Sequence, residues 1–190
     1  MNKIYTLLIL SILTGCIVIV PNFTGLKSGY KKLSPNQKAR IKFVNDREEL
    51  TYLNKNDTIY AITSNHIKTI IENEKSDVVL YLWSANCSSE VCHPIEYVRE
   101  MCSSKNQKLI VVMEYYDFEL VSFQNTESLD FPLFSINTKH YETDFCNKYT
   151  KRFITDLLNK GKLKDEELYN RYFLFLNGKY VGAKSDIIKL

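Results

Sequence analysis

Hydrophobic and polar positions divide the chain into segments of different period. Residues 77–83, DVVLYLW, form an almost unbroken apolar run, and so do residues 108–116, KLIVVMEYY. Runs of this length and composition predict strands buried on both faces of a sheet. TIYAIT at 58–63 is β-branched and aromatic, which predicts a further strand. Between these runs the period lengthens. SNHIKTIIENEK repeats Ile67, Ile70 and Ile71 at helical spacing, with Ser64 placed to cap and His66 on the outside. PIEYVREMCSS puts Ile95, Val98 and Cys102 on one helical face, so Cys102 reads as a buried core thiol. FELVSFQNTE predicts a short helix and CNKYTKRFITDLLNK a longer one. RYFLFLNGKYVGAK closes the pattern as two strands around Asn177-Gly178, a strong hairpin signal. Strand and helix alternate through most of this order, which argues for an α/β layer structure with parallel strand pairs in its first part.

The opening residues follow a different logic. Lys3 is followed by a long apolar stretch, and residues 13–16 read LTGC. A basic start, an apolar run and small residues before a cysteine describe an export signal. LTGC resembles a bacterial lipobox, and that resemblance implies cleavage before Cys16 and lipid on Cys16. Read instead as an uncleaved helix, residues 4–20 have about the shortest length that spans a bilayer. Either reading tethers the rest of the chain to a membrane, outside the cytoplasm, where disulfides persist. The expected organisation is an anchor at 1–20, a linker with a short helix at 21–57, and one domain at 58–190. Ser34 and Pro35 suit the cap and first position of that short helix.

Composition adds little to this picture. The chain has 190 residues, 45% hydrophobic and 25% charged, enough for one domain with its own core. A net charge of +3 without a long basic run excludes an electrostatic case for nucleic acid. No Gly-rich phosphate loop or zinc-type cysteine set occurs, and the sequence implies no cofactor.

The chemistry concentrates in YLWSANCSSEVCHPI, residues 81–95. Cys87 and Cys92 follow the Trp83 strand and precede a helix. A thiol at a helix N-terminus is favoured as thiolate, the attacking species in disulfide exchange. If the helix starts near Ser88, Cys92 is turned well away from Cys87 and a bond between them is strained. If it starts at Pro94, CSSEVC is a loop that can bring the two sulfurs together, and His93 is the boundary residue. His93 and Glu90 are accessory candidates, for thiolate stabilisation and proton relay. The alternative for the pair is a structural disulfide that braces the loop. A further arrangement, Cys87 and Cys92 with His140, has donors that suit copper. Cys146 has no assigned partner.

From about residue 58 to 184 this order resembles the thioredoxin family. TIYAIT, HIKTIIENEK and DVVLYLW match its opening strand, helix and central strand, and FLFLNGKYVG its closing hairpin. Extra material at about 129–170 is similar to the insertion of membrane-anchored, TlpA-type thioredoxin-like proteins. The resemblance implies a central mixed β-sheet flanked by helices, with an insertion before the closing β-hairpin. It also implies thiol–disulfide exchange in the cell envelope, with Cys87 attacking, Cys92 resolving, and exported protein thiols or disulfides as partners. The alternative is a redox-silent lipoprotein that binds an envelope protein. The chain departs from the family in its Cys-x-x-x-x-Cys spacing and in having no proline at 170–172.

Overall fold

In a computed structural model of the chain, which describes residues 26–45, 50, 57–85, 87, 89–124 and 126–190, the strand over Val78–Trp83 is the centre of the fold. Among the described residues the strands are β1 (Ile41–Phe43), β2 (Ile59–Ile62), β3 (Val78–Trp83), β4 (Lys108–Met113), β5 (Phe134–Ile136), β6 (Tyr172–Leu176) and β7 (Lys179–Lys184). They form one sheet in the order β1-β2-β5-β4-β3-β6-β7. The pairs β1–β2, β2–β5, β5–β4 and β4–β3 are parallel; β3–β6 and β6–β7 are antiparallel. The sheet is therefore mixed, and helices cover both faces.

Period-two alternation in β3 sorts its side chains between two cores. Val79, Tyr81 and Trp83 face α3 (Ile95–Ser104) and α4 (Phe118–Ser122), whose Ile95, Val98, Cys102, Phe118 and Val121 pack against them. Val78, Leu80 and Leu82 face α2 (Ser64–Asn73) and α5 (Cys146–Leu157), packing with Ile67, Ile71, Phe153 and Ile154. Both faces being covered explains why β3 and β4 read as continuous apolar runs. Full burial of a side chain such as Leu80, at 0% exposure, contributes about 2 kcal/mol relative to leaving it in water.

The stretch 21–57, expected as a linker with a short helix, also contributes a strand. Ile41–Phe43, inside the stretch read as linker, is a strand paired with β2, and Leu33 and Ile41 are buried in the α3-side core. The short helix α1 is confined to Pro35–Ala39; Ser34 caps it in a reciprocal arrangement with Gln37. The inserted stretch contributes to the sheet: its Phe134–Ile136 forms β5, between β2 and β4.

His66, expected on the helix surface, is buried at 6% exposure. Thr63 rather than Ser64 is the N-cap of α2, and His66 completes the capping box. Its Nδ1 accepts from the Thr63 amide at 3.1 Å, which leaves Nε2 to donate to the Asn45 carbonyl at 3.1 Å. The sequence period could not show this, because a histidine at the third helical position can turn back onto the cap.

At the closing hairpin, Asn177 and Gly178 both take positive φ, 49° and 78°. These are the angles that a two-residue turn matched to strand twist demands. No helix of the described residues is long and apolar enough to cross a membrane. Residues 1–20, with Cys16, lie outside the described part.

Candidate functional site

Where β3 ends, the chain leaves the sheet for a loop that returns at α3. The Cys87 amide donates to the Ser84 carbonyl at 3.1 Å, and the Cys92 amide to the Ser89 carbonyl at 2.9 Å. Cys87 and Cys92 form a disulfide, their Cα atoms 5.9 Å apart. Both are half-buried. The helix begins only at Ile95, with Pro94 as its N-cap, so the cysteines lie in the loop and not in the first helical turn. One amide of that turn is already used: Ile95 N–H donates to Gln124 Oε1 at 3.0 Å. Of the helix's N-terminal donors, this one is not available to a thiolate.

Two tyrosines on one face of the sheet hold the second cysteine in place. Tyr81 of β3 and Tyr172 of β6 are register partners, and their rings stack at 4.5 Å with planes 18° apart. The Tyr81 hydroxyl donates to the His93 carbonyl at 2.8 Å, and the Tyr172 hydroxyl to the Val91 carbonyl at 3.1 Å. The backbone of Cys92 is thus gripped from both sides. Burial is the main cause that raises both phenols above their ordinary pKa, so they remain donors at neutral pH.

His93 is tied down as well. Its Nε2 lies 3.2 Å from Asp186 Oδ1, and both side chains are mostly buried, at 18% and 17% exposure. Asp186 belongs to the turn after β7, where the same oxygen accepts from the Ile188 amide at 3.0 Å. That amide, and then His93, holds the carboxyl below the usual carboxylate range. The His93 ring also packs 4.9 Å from Tyr97. Glu90 is exposed in the turn between Ser89 and Cys92.

A second polar group lies at the same end of the sheet. Glu114 follows β4, Arg171 precedes β6, and their side chains form an ion pair. Backbone bonds place them on either side of the end of β3: Glu114 N–H donates to the Trp83 carbonyl at 2.9 Å, and Leu82 N–H to the Arg171 carbonyl at 2.8 Å. The position where the family resemblance implies proline is thus held by an arginine in an ion pair and a tyrosine that anchors the loop.

The other two thiols behave differently. Cys102 is 1% exposed in the core, and burial pushes its thiol up to about 12. Cys146 opens α5 half-buried; its Sγ is 2.9 Å from the Tyr149 hydroxyl, which donates to the Glu114 carbonyl. Burial raises the Cys146 thiol to about 11. Both are free. His140 sits in the turn after β5, its ring edge-on to Tyr141 at 4.7 Å. Among the described residues no group of three or more His, Cys, Asp or Glu side chains is arranged to hold a metal ion, and Cys87 and Cys92 are bonded to each other.

The structure brings Cys87, Cys92 and His93 together and leaves Glu90 exposed in the turn; sequence reasoning did not single out Tyr81, Tyr172, Gln124 or Asp186. A signal for the first was present: Tyr81 shares a face with Trp83, the face from which the loop departs. No local pattern marks Asp186. Compared with family models, curated proteins and solved structures, the chain matches none.

Proposed function

We propose that this chain is a membrane-tethered, thioredoxin-like protein of the cell envelope that exchanges disulfides through Cys87 and Cys92. The observation that carries the reading is the Cys87–Cys92 bond in a loop at the end of the central strand, half-open to solvent and beside the start of a helix. The order of β2, α2, β3, α3 and β4, with β6–β7 as closing hairpin, supports the same reading; β5 and α5 are then the insertion. In the reducing direction a partner thiolate attacks Cys87, the Cys87–Cys92 bond breaks, and Cys92 leaves with the electron pair. The partner's second thiolate then displaces Cys87 from the mixed disulfide. The partner loses two electrons and two protons, and the loop gains them. Oxidation of a partner dithiol and its reverse use the same atoms.

A second reading has its own support. The grip of Tyr81 and Tyr172 on the loop, and the use of the Ile95 amide by Gln124, suit a disulfide that only braces a binding surface. Alkylation separates the two. In the exchange reading, reduced Cys87 alkylates quickly at mildly acidic pH, and Cys92→Ser accumulates mixed disulfides with other proteins. A Cys87 that reacts like an ordinary thiol with pKa about 8.5, and traps nothing, leaves only the bracing role. Fatty-acid labelling that disappears in Cys16→Ser would support the lipid anchor.

A further inference from the structure

Leu26, where the described part of the chain begins, lies beside the start of α5. Lys27 forms an antiparallel bridge with Phe145, and the Cys146 amide donates to the Leu26 carbonyl at 3.1 Å. The Ser28 amide donates to the Asp144 carbonyl at 2.8 Å. Both large apolar side chains of this corner are exposed, Leu26 at 48% and Phe145 at 38%. Two cations stand over the phenyl ring: Lys27 Nζ is 5.7 Å and Lys148 Nζ 5.1 Å from its centroid. Lys31 and Lys32 are exposed in the turn Tyr30–Lys32 that follows. Of the nearby acids, Asp144 accepts from the hydroxyl of buried Ser28, and Glu142 is exposed. The corner is thus an apolar tip flanked by lysines.

The length of chain before Leu26 says what this corner meets. Val20, where the apolar run ends, is six residues from Leu26. Even fully extended, that span is at most about 22 Å, and from a lipid-bearing Cys16 it is about 35 Å. We propose that the corner formed by Leu26, Lys27, Phe145 and Lys148 docks on an anionic bilayer surface, so that a folded face holds the domain as well as its N-terminal segment does. This rests on the membrane tether proposed above and adds the face that the domain turns to the lipid. The phenyl ring and the leucine enter the boundary between headgroups and acyl chains, and the ammonium groups reach lipid phosphates on their flexible stems. So few cations suffice because the tether keeps the face at high local concentration. Cys146 Sγ lies 3.9 Å from the Glu114 carbonyl, and Glu114 N–H is bonded to the Trp83 carbonyl at the end of β3. Docking therefore turns the end of the sheet that carries the Cys87–Cys92 loop toward the bilayer.

The test uses the full chain carrying Phe145→Trp in vesicles of phosphatidylcholine and phosphatidylglycerol, with bromine on the acyl chains as the quencher. The unsubstituted chain, whose one tryptophan, Trp83, is 5% exposed, gives the background. Emission of the introduced indole should move to the blue and be quenched by the brominated chains. Adding Lys27→Gln and Lys148→Gln should lower the docked population by about fivefold for each lysine, and vesicles of phosphatidylcholine alone should lower it as well. A chain that floats with the vesicles while its indole stays unquenched overturns docking and leaves the tether standing. A blue-shifted but unquenched indole also overturns it, since protein then covers the corner. Quenching that is the same without phosphatidylglycerol and in the double glutamine variant overturns the anionic surface as the partner. A chain that does not float overturns the tether, and docking with it.

Discussion

Cys92 and Cys102 lie at the two ends of one short stretch of chain, yet their surroundings differ in almost every respect. Cys92 is bonded to Cys87 in a half-open loop, with its neighbours' carbonyls held by tyrosine hydroxyls. Cys102 lies on the apolar face of α3, 1% exposed and free. What separates them is where α3 starts. Residues before Pro94 escape the helical ladder and can form turns and a cross-link; residues after it follow the helical period into the core. The same chain chemistry gives a candidate reactive sulfur on one side of the proline and an inert one on the other.

The comparison breaks most severely if a charge enters the buried position. Cys102→Asp should destabilise the fold by on the order of 4 kcal/mol, since it puts a carboxylate at a buried position on the apolar face of α3; urea denaturation reads this out. The next effect concerns pH. The Cys102 thiol ionises at about 9 when exposed and at about 12 in the fold, so the folded state holds its proton where the unfolded chain gives it up. Its contribution is complete below pH 9 and is lost as pH rises toward 12, at about 1.4 kcal/mol for each pH unit. Cys102→Ala should flatten that part of the alkaline limb of stability. Replacing both Cys87 and Cys92 by Ser should cost about 2 kcal/mol, the loop-closure value for so short a ring. The smallest effect belongs to the anchors: Tyr81→Phe removes one hydrogen bond, worth about 1 kcal/mol. It should also speed reduction of the Cys87–Cys92 bond by dithiothreitol, which sharpens the role of the grip.

How much of this was legible beforehand follows from the range of the forces involved. Apolar period gave β2, β3, β4, α2, α3, α5 and the closing hairpin, because each depends on residues a few positions apart. Pro94 gave the loop, since its ring restricts the residue before it. Three-residue strands were another matter. β1 and β5 have too few positions to show a period, and sheet pairing with distant neighbours, not local propensity, makes them strands. His66 was misplaced because its burial comes from the cap and the Asn45 carbonyl. Tyr81 and Tyr172 are buried aromatics of the strands; their hydroxyls also hold carbonyls that only the folded loop brings near. Asp186 could not be tied to His93 from the sequence, since the two meet only after β6 and β7 have returned along β3.

The most direct measurement is the reduction potential of the Cys87–Cys92 pair, read at equilibrium against a glutathione buffer. An exchanging bond in this loop should titrate above about −300 mV, within reach of dithiol partners. A potential well below that, with the bond resisting reduction until the protein unfolds, would contradict exchange and leave the disulfide as a brace.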